Sequence, residues 1–331
     1  MTNTVTVLGF KETGKTCYLA GMYSLMSFGI KNFTLVSTDN NADLFLDTLW
    51  SNIQHGKLPL PNDDIEKYSF HLAHDYKPVC DFEWMDYPGG ILADPNHKFR
   101  PQLDSSISSA DCILLILDGK LFKIEAANEE EYKRKLANKL RNSDLKYETK
   151  YFTQMSAKGE ALPPILIVVT KSDLINPEYQ EAIEQVIRQE LAPVFAGAEE
   201  KKGDRMVLMT TVSLGDNFDH GGEVEPYNIE QPIAFAVLVI LIKYMLMLKA
   251  VKQDNLSVAQ KKHSKIGRFF NSDAIEKAER NLVELSKLSD KCSKDAYRLL
   301  ELFPDTKSIY INNDKTNMRE YFRDLFVGLN K

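Results

Sequence analysis

Hydrophobic and polar positions along this chain alternate between two regimes. Short, continuous apolar runs recur at Thr4–Leu8 (TVTVL), Cys112–Leu117 (CILLIL), Ile165–Val169 (ILIVV) and Met206–Thr211 (MVLMTT). Such runs, bounded by Gly, Pro or polar residues, predict strands covered on both faces. Between them lie stretches with helical spacing. Cys17–Phe28 predicts a helix that stops at Gly29, and Asn41–His55 one closed by Gly56. Further helices are predicted over Glu125–Asn142, Pro177–Leu191 and Ile229–Val251. Phe33–Ser37 predicts a short strand. Tyr68–Ala73 and Val79–Met85 predict an antiparallel hairpin turning around Lys77-Pro78. Asp86–Pro101, rich in Gly and Pro, predicts a loop. Strands that alternate with helices imply an α/β fold with a mostly parallel sheet and helices on both faces.

Past Asn255 the pattern changes. Ser272–Phe303 predicts a long polar helix with a stripe including Ile275, Leu282, Leu285 and Leu299. Ser308–Ile311 predicts one short strand and Asn317–Leu329 a last helix. The expected division is therefore residues 1–250 as an α/β domain, with insertions near 30–66 and 119–162, and residues 251–331 as a mainly helical extension.

The apolar run Ile233–Leu248 raises the question of a membrane span. It is short of the ~20 residues that a span needs, contains Lys243 and has polar flanks. A core helix is the expectation, with no transmembrane segment.

The chemistry lies where strands end. Gly9-Phe10-Lys11-Glu12-Thr13-Gly14-Lys15-Thr16 matches GxxxxGK[ST], follows a predicted strand and opens a predicted helix. Backbone amides turned inward by the glycines cradle a β-phosphate, and the helix N-terminus adds its positive dipole end. Lys15 is expected to reach the β- and γ-phosphates and Thr16 to place its hydroxyl on Mg²⁺; Cys17 closes the segment. Asp86-Tyr87-Pro88-Gly89 ends the strand before it. Asp86 there holds Mg²⁺ and Gly89 offers its amide to a γ-phosphate, which makes Lys15 and Gly89 the expected catalytic pair. Thr170-Lys171-Ser172-Asp173 follows the strand Ile165–Val169. In the GTPases that this stretch resembles, an Asp at that place accepts from guanine N1 and its 2-amino group, and a Lys stem packs on the base. Ser213 and Leu214, after the next strand, stand where GTPases carry a Ser-Ala-containing loop that backs the base.

In this order the motifs resemble the translation-factor and Ras-like branch of P-loop GTPases, from Gly9 to Ser213. Lys11, the Asp-x-Pro-Gly-Gly and the long helix led by Glu230-Gln231-Pro232 are also similar to a bacterial group called double-GTPases, associated with conflict and signalling systems. The resemblance implies a Ras-like P-loop G domain that binds GTP/GDP with Mg²⁺ and hydrolyses GTP as a conformational switch. It also implies a protein partner, either a second GTPase or an activating protein. A nucleotide-dependent interaction module with little hydrolysis, and an ATPase, are the alternatives; Asp173 discriminates the last.

Two departures from the pattern matter. After DxxG, Ras-like enzymes carry a Gln that orients water, and here stands Gly90. Slow turnover, or a catalytic group from elsewhere, follows. The switch I Thr is the second: Thr34 has the spacing, whereas topology points to Lys57–Glu66, which holds Asn62, Asp63 and Asp64 but no Thr. Lys11 stands where Ras-like enzymes carry a small residue; it either supplies charge in cis or points to solvent.

Composition adds limits. The 331 residues are 44% hydrophobic and 27% charged, with a net charge of −6, which argues against general nucleic-acid binding. Cys17, Cys80, Cys112 and Cys292 form no CxxC pair and read as reduced thiols of a cytoplasmic protein. His71, His74, His97 and His220 lack zinc-ligand spacing. The N-terminus lacks the pattern of a signal peptide, and neither terminus carries a lipidation box. The basic stretch Lys261–Phe270 reads as a solvated linker, with an acidic membrane or partner as the alternative, and Glu129-Glu130-Glu131 as an exposed helix start.

Overall fold

The computed structural model describes residues 2–159, 162–196, 204–215, 224–260 and 272–330. His220 and the basic stretch Lys261–Phe270 lie outside them.

Nine strands form one sheet: β1 (Asn3–Leu8), β2 (Phe33–Ser37), β3 (Glu66–His74), β4 (Lys77–Asp86), β5 (Cys112–Asp118), β6 (Ile165–Thr170), β7 (Met206–Thr211), β8 (Ser308–Ile311) and β9 (Asp314–Asn317). Their order is β2-β3-β4-β1-β5-β6-β7-β8-β9. The middle, β4 through β7, is parallel; β2 and β3 extend one edge antiparallel, and β8 joins β7 antiparallel on the other. β5 and β6, each apolar up to the polar residue that ends it, are central strands, as burial on both faces requires.

The hairpin between β3 and β4 turns one step earlier than its sequence suggests. Asp75 and Tyr76 carry the positive φ values, 49° and 59°, of a type I′ turn, and Lys77-Pro78 already belong to β4. Asn312 and Asn313 (φ 50° and 73°) do the same between β8 and β9.

The helices are α1 (Lys15–Phe28), α2 (Asn40–Gln54), α3 (Arg100–Ser109), α4 (Glu129–Arg141), α5 (Leu145–Ala157), α6 (Gln180–Glu190), α7 (Ala192–Phe195), α8 (Gln231–Gln260), α9 (Ser272–Leu300) and α10 (Met318–Asn330). The region predicted as one helix from Pro177 opens with a 3₁₀ turn at Pro177–Tyr179 and continues as α6. One face of the sheet, with Ile113, Leu115 and Leu117 at alternate positions of β5, packs with residues of α3 through α7, among them Leu103, Leu136, Phe152 and Ile187. On α1 and α2, Ala20, Leu49, Trp50 and Ile53 form a second cluster.

The chain divides into two compact units, Met1–Ala236 with Ser308–Thr316, and Val237–Lys307 with Asn317–Lys331. The sequence reading drew the line at residue 250. The structure draws it inside α8, because that helix runs on without a break, and it returns β8 and most of β9 to the first unit. The predicted insertion 30–66 holds β2 and α2, and 119–162 holds α4 and α5. The second unit is helical: Lys249 Nζ on α8 donates to Gly328 O on α10 (2.7 Å), and Tyr297 meets Phe326 edge-on at 5.0 Å. Gln231–Leu256 is long and apolar enough to cross a membrane, yet 67% of its apolar window is buried within the protein, as in a core helix.

Candidate functional site

Five parallel strands place their C-terminal ends side by side, and a polar motif follows each. The Gly9 loop follows β1, Asp86 ends β4, Asp118 ends β5, Thr170 ends β6, and Ser213 follows β7. This is the edge at which open α/β sheets take their ligands. A cleft of about 370 Å³ opens there. Of the residues expected from sequence, Lys11, Glu12, Thr13, Gly14, Lys15, Thr16, Cys17, Asp86, Gly89, Thr170, Lys171, Asp173, Ser213 and Leu214 all line it. Gly9 stands at the loop's base, where a Cβ would meet Ile116 O at 2.6 Å.

The loop is wound by its backbone. Glu12 (φ 65°) and Gly14 (φ 91°) are left-handed, and Gly14 caps α1. Lys15 Nζ folds back to donate to Gly9 O (3.0 Å) and lies near Phe10 O (3.5 Å). Thr13 Oγ1 donates to Phe10 O at 3.0 Å.

The strand-end loops are tied to one another. Thr170 Oγ1 reaches Thr13 O at 2.6 Å and Leu117 O at 3.1 Å. Lys171, left-handed at φ 52°, sends its ammonium to Glu12 O (2.7 Å) and Asp118 Oδ2 (2.8 Å). Asp118 was not singled out from sequence; its position at a strand end was the signal available. Gly119 beside it has no room for a side chain, since a Cβ would lie 2.1 Å from Thr170 O. Ser213 Oγ donates to Asp173 Oδ1 (2.7 Å) while Gly215 N donates to Ser213 Oγ (2.9 Å), so the serine fixes the carboxylate's orientation.

The fold is a P-loop G domain.

No family model and no curated protein matches the chain. Among solved structures it is similar to the GDP-bound FeoB G domain of S. thermophilus, an Ala-to-Ser variant, at 14% identity over 91% of this chain and 98% of that chain, with a TM-score of 0.29. A Glu-to-Ala variant of S. thermophilus NFeoB bound to GDP gives 10% identity, the same coverages and a TM-score of 0.29. An Asn-to-Ala variant bound to mGDP gives 13%, 91% and 99%, and 0.27. The assignment of this G domain stands on its own strand order and loop.

The DxPG loop lies against the P-loop. A Cβ on Gly89 would meet Lys11 N at 2.4 Å and Phe10 C at 2.8 Å. Gly90, at φ 91°, faces open space. Asp86 is 4% exposed, and its Oδ1 has no hydrogen-bond partner. Burial pushes its carboxyl up to about 7; Lys15 opposes the rise and Glu66 adds to it. An orphaned, buried acidic oxygen in the same cleft as a P-loop Thr fits a divalent cation held by Asp86 and Thr16.

The two segments expected as switch I lie in different places. Thr34 sits within β2, opposite Ala73 of β3, whereas Leu58–Asn62 line the cleft. Lys11 lines the cleft with an exposed side chain: its Nζ pairs with Asp63 Oδ1 at 2.9 Å, and Lys98 pairs with Asp64 at 2.9 Å. Two ion pairs therefore tie the 57–66 loop to the P-loop and to the DxPG segment.

Proposed function

We propose that this G domain binds GDP and GTP with Mg²⁺ and hydrolyses GTP slowly, as a conformational switch. The observation that carries the reading is the pairing, in one cleft, of a P-loop lysine with Asp173 oriented by Ser213. The first is chemistry for phosphates, the second for the N1–H and 2-amino edge of guanine. Adenine presents an acceptor where guanine presents a donor, so Asp173 repels it; this sets the ATPase reading second.

In this reading the loop amides and Lys15 hold the β- and γ-phosphates, and Lys171 covers the base while locking the loop through Glu12 O. Thr16 and Asp86 hold Mg²⁺, which supplies charge neutralisation at the phosphates when bound. Gly89 donates its amide to the γ-phosphate. Water forms the new bond to the γ-phosphorus as the bond to the bridging oxygen breaks, giving GDP and phosphate. Loss of the γ-phosphate releases the DxPG loop and, through Lys11–Asp63 and Lys98–Asp64, the 57–66 loop. Gly90 leaves the water without a side chain from its own position. This favours slow turnover and a protein partner, a second GTPase or an activating protein; an interaction module with negligible hydrolysis is the limiting case. The four cysteines form no disulfide among the described residues, which suits the cytoplasm, and a bacterial conflict or signalling system fits the motif resemblance.

The test is titration of the purified protein with GDP, GTP, ADP and ATP in Mg²⁺. Guanine nucleotides should bind at least about 100-fold tighter, a difference of ~2.7 kcal/mol, and Lys15→Ala should abolish binding while leaving the melting curve intact. Equal affinity for ATP and GTP would sink the guanine assignment.

A further inference from the structure

The acid that ends β5 meets two donors with its two oxygens. Asp118 Oδ2 accepts from Lys171 Nζ at 2.8 Å, and Asp118 Oδ1 accepts from the main-chain N–H of Lys120 at 2.9 Å. The second bond caps the 3₁₀ turn Gly119–Leu121, a local task that asparagine performs as well. The first reaches across 53 positions of sequence and does nothing for the turn.

The ion pair is largely enclosed, with side chains 28% and 19% exposed, and the ammonium makes a further bond of 2.7 Å to Glu12 O in the P-loop. Lys171 is therefore a strut from the end of β5 to the P-loop. Its own backbone is left-handed at φ 52°, where residues other than glycine are uncommon. The strand end presses against it: Asp118 stands in register with Thr170, and a Cβ on Gly119 would lie 2.5 Å from Lys171 O. An ammonium on a flexible four-carbon stem has no preferred direction of its own. A carboxylate anchored through its other oxygen supplies one. Lys171 and Lys120 line the cleft, whereas Asp118 does not, so Asp118 reaches a ligand only through them.

We infer that Asp118 is a positioning residue for Lys171: it holds the ammonium on Glu12 O and so fixes the base-reading loop against the phosphate loop before a nucleotide arrives. The purpose rests on the nucleotide-binding reading above; the contact does not. A ligand that must engage both loops then binds without first ordering them. Asparagine at this position has one oxygen for two donors and cannot keep both bonds.

The experiment is a double-mutant cycle on the full chain. Asp118→Asn and Asp118→Ala, each alone and combined with Lys171→Met, are titrated with GDP in Mg²⁺ and melted. With Lys171 present, each should weaken GDP about tenfold, ~1.4 kcal/mol. With Lys171→Met, each should cost less than about twofold, because the strut is already gone. Asp118→Asn is nearly isosteric and carries the cycle if the alanine variant melts too low to titrate. A second readout needs no nucleotide: an amine-reactive reagent, followed by peptide mass spectrometry, should label Lys171 faster in Asp118→Asn, with Lys15 labelling as in wild type. Equal losses in both backgrounds make Asp118 a turn residue and overturn the proposal. So does a GDP affinity for Asp118→Asn within about twofold of wild type, or unchanged Lys171 labelling. A wild type that ignores GDP, with Lys171 labelling still dependent on Asp118, defeats the nucleotide reading and leaves the strut standing.

Discussion

Gly89→Ala tests how the DxPG loop senses the phosphate site. The residue does not occupy the left-handed region, so a methyl group adds no backbone strain of that kind. It adds a collision: 2.4 Å to Lys11 N and 2.8 Å to Lys11 Cα and Phe10 C, all main-chain atoms with no side-chain freedom to yield. Ordinary carbon contacts lie at ~3.5–4.0 Å, so the two loops must part by about 1 Å. Overpacking of this size costs ~1–3 kcal/mol, a fall in melting temperature of about 2–12 °C for a unit of this length. The larger effect is on nucleotide. If the Gly89 amide donates to the γ-phosphate, displacing it forfeits a charge-assisted hydrogen bond of ~1.5–3 kcal/mol, or about 10–150-fold in GTP affinity, while GDP, which lacks that group, is affected little. Gly90→Ala is the control: it has open space but φ 91°, so it should cost ~1–2 kcal/mol of stability and spare the GTP-to-GDP ratio. Differential scanning fluorimetry and GDP/GTP titrations read both. Equal losses for GTP and GDP in Gly89→Ala, or none, would refute the reasoning.

Other expectations follow from the same cleft. Asp173→Asn should shift preference from guanine toward xanthine nucleotides, since an amide suits a carbonyl where the carboxylate suited an amine; competition binding with XDP checks it, and unchanged GDP preference counts against it. Ser213→Ala removes the donor at 2.7 Å that orients Asp173, and should weaken GDP by ~0.5–1.5 kcal/mol, about 2–12-fold, in a calorimetric titration. Lys11→Ala breaks an ion pair whose side chains are 54% and 80% exposed, so the melting temperature should hardly change. Its effect on basal single-turnover hydrolysis should stay under about tenfold, ~1.4 kcal/mol of barrier; a far larger loss would make Lys11 the catalytic cation.

Much of the fold was legible because its signals are local. Buried parallel strands are apolar runs, and the phosphate and base motifs sit in the few residues after β1, β4 and β6, where spacing alone reveals them. What sequence missed was carried by tertiary contacts. Helix α3 begins at Arg100-Pro101 and runs through Ser-rich, weakly helical sequence; it is held by Leu103 and Ile107 alone among its buried residues. Strand β9 is four polar residues, Asp314–Asn317, with no alternation to read. Helix α5 hid for a more telling reason: Glu148 interrupts its apolar stripe at the position that would have completed the pattern. Of the site, the 57–66 loop could be placed only by topology, because no threonine marks it, and the Lys171–Asp118 tie joins residues 53 positions apart.

The chain passes between its two units three times, after Ala236, Lys307 and Thr316. Consider the order in which a ribosome releases them. The cleft and the five strands that build it emerge first, but β7 waits at the edge of the sheet with its backbone groups unmatched. Met206 and Val207 find Ile311 and Tyr310 only after the long helices of the second unit have been made. Tyr310 then also closes edge-on against Phe195 at 5.3 Å. A chain cut at residue 250 would carry every nucleotide motif and still present an open strand edge, the kind that pairs with other chains. The sheet that carries the cleft is thus finished by residues translated after the long helices of the second unit.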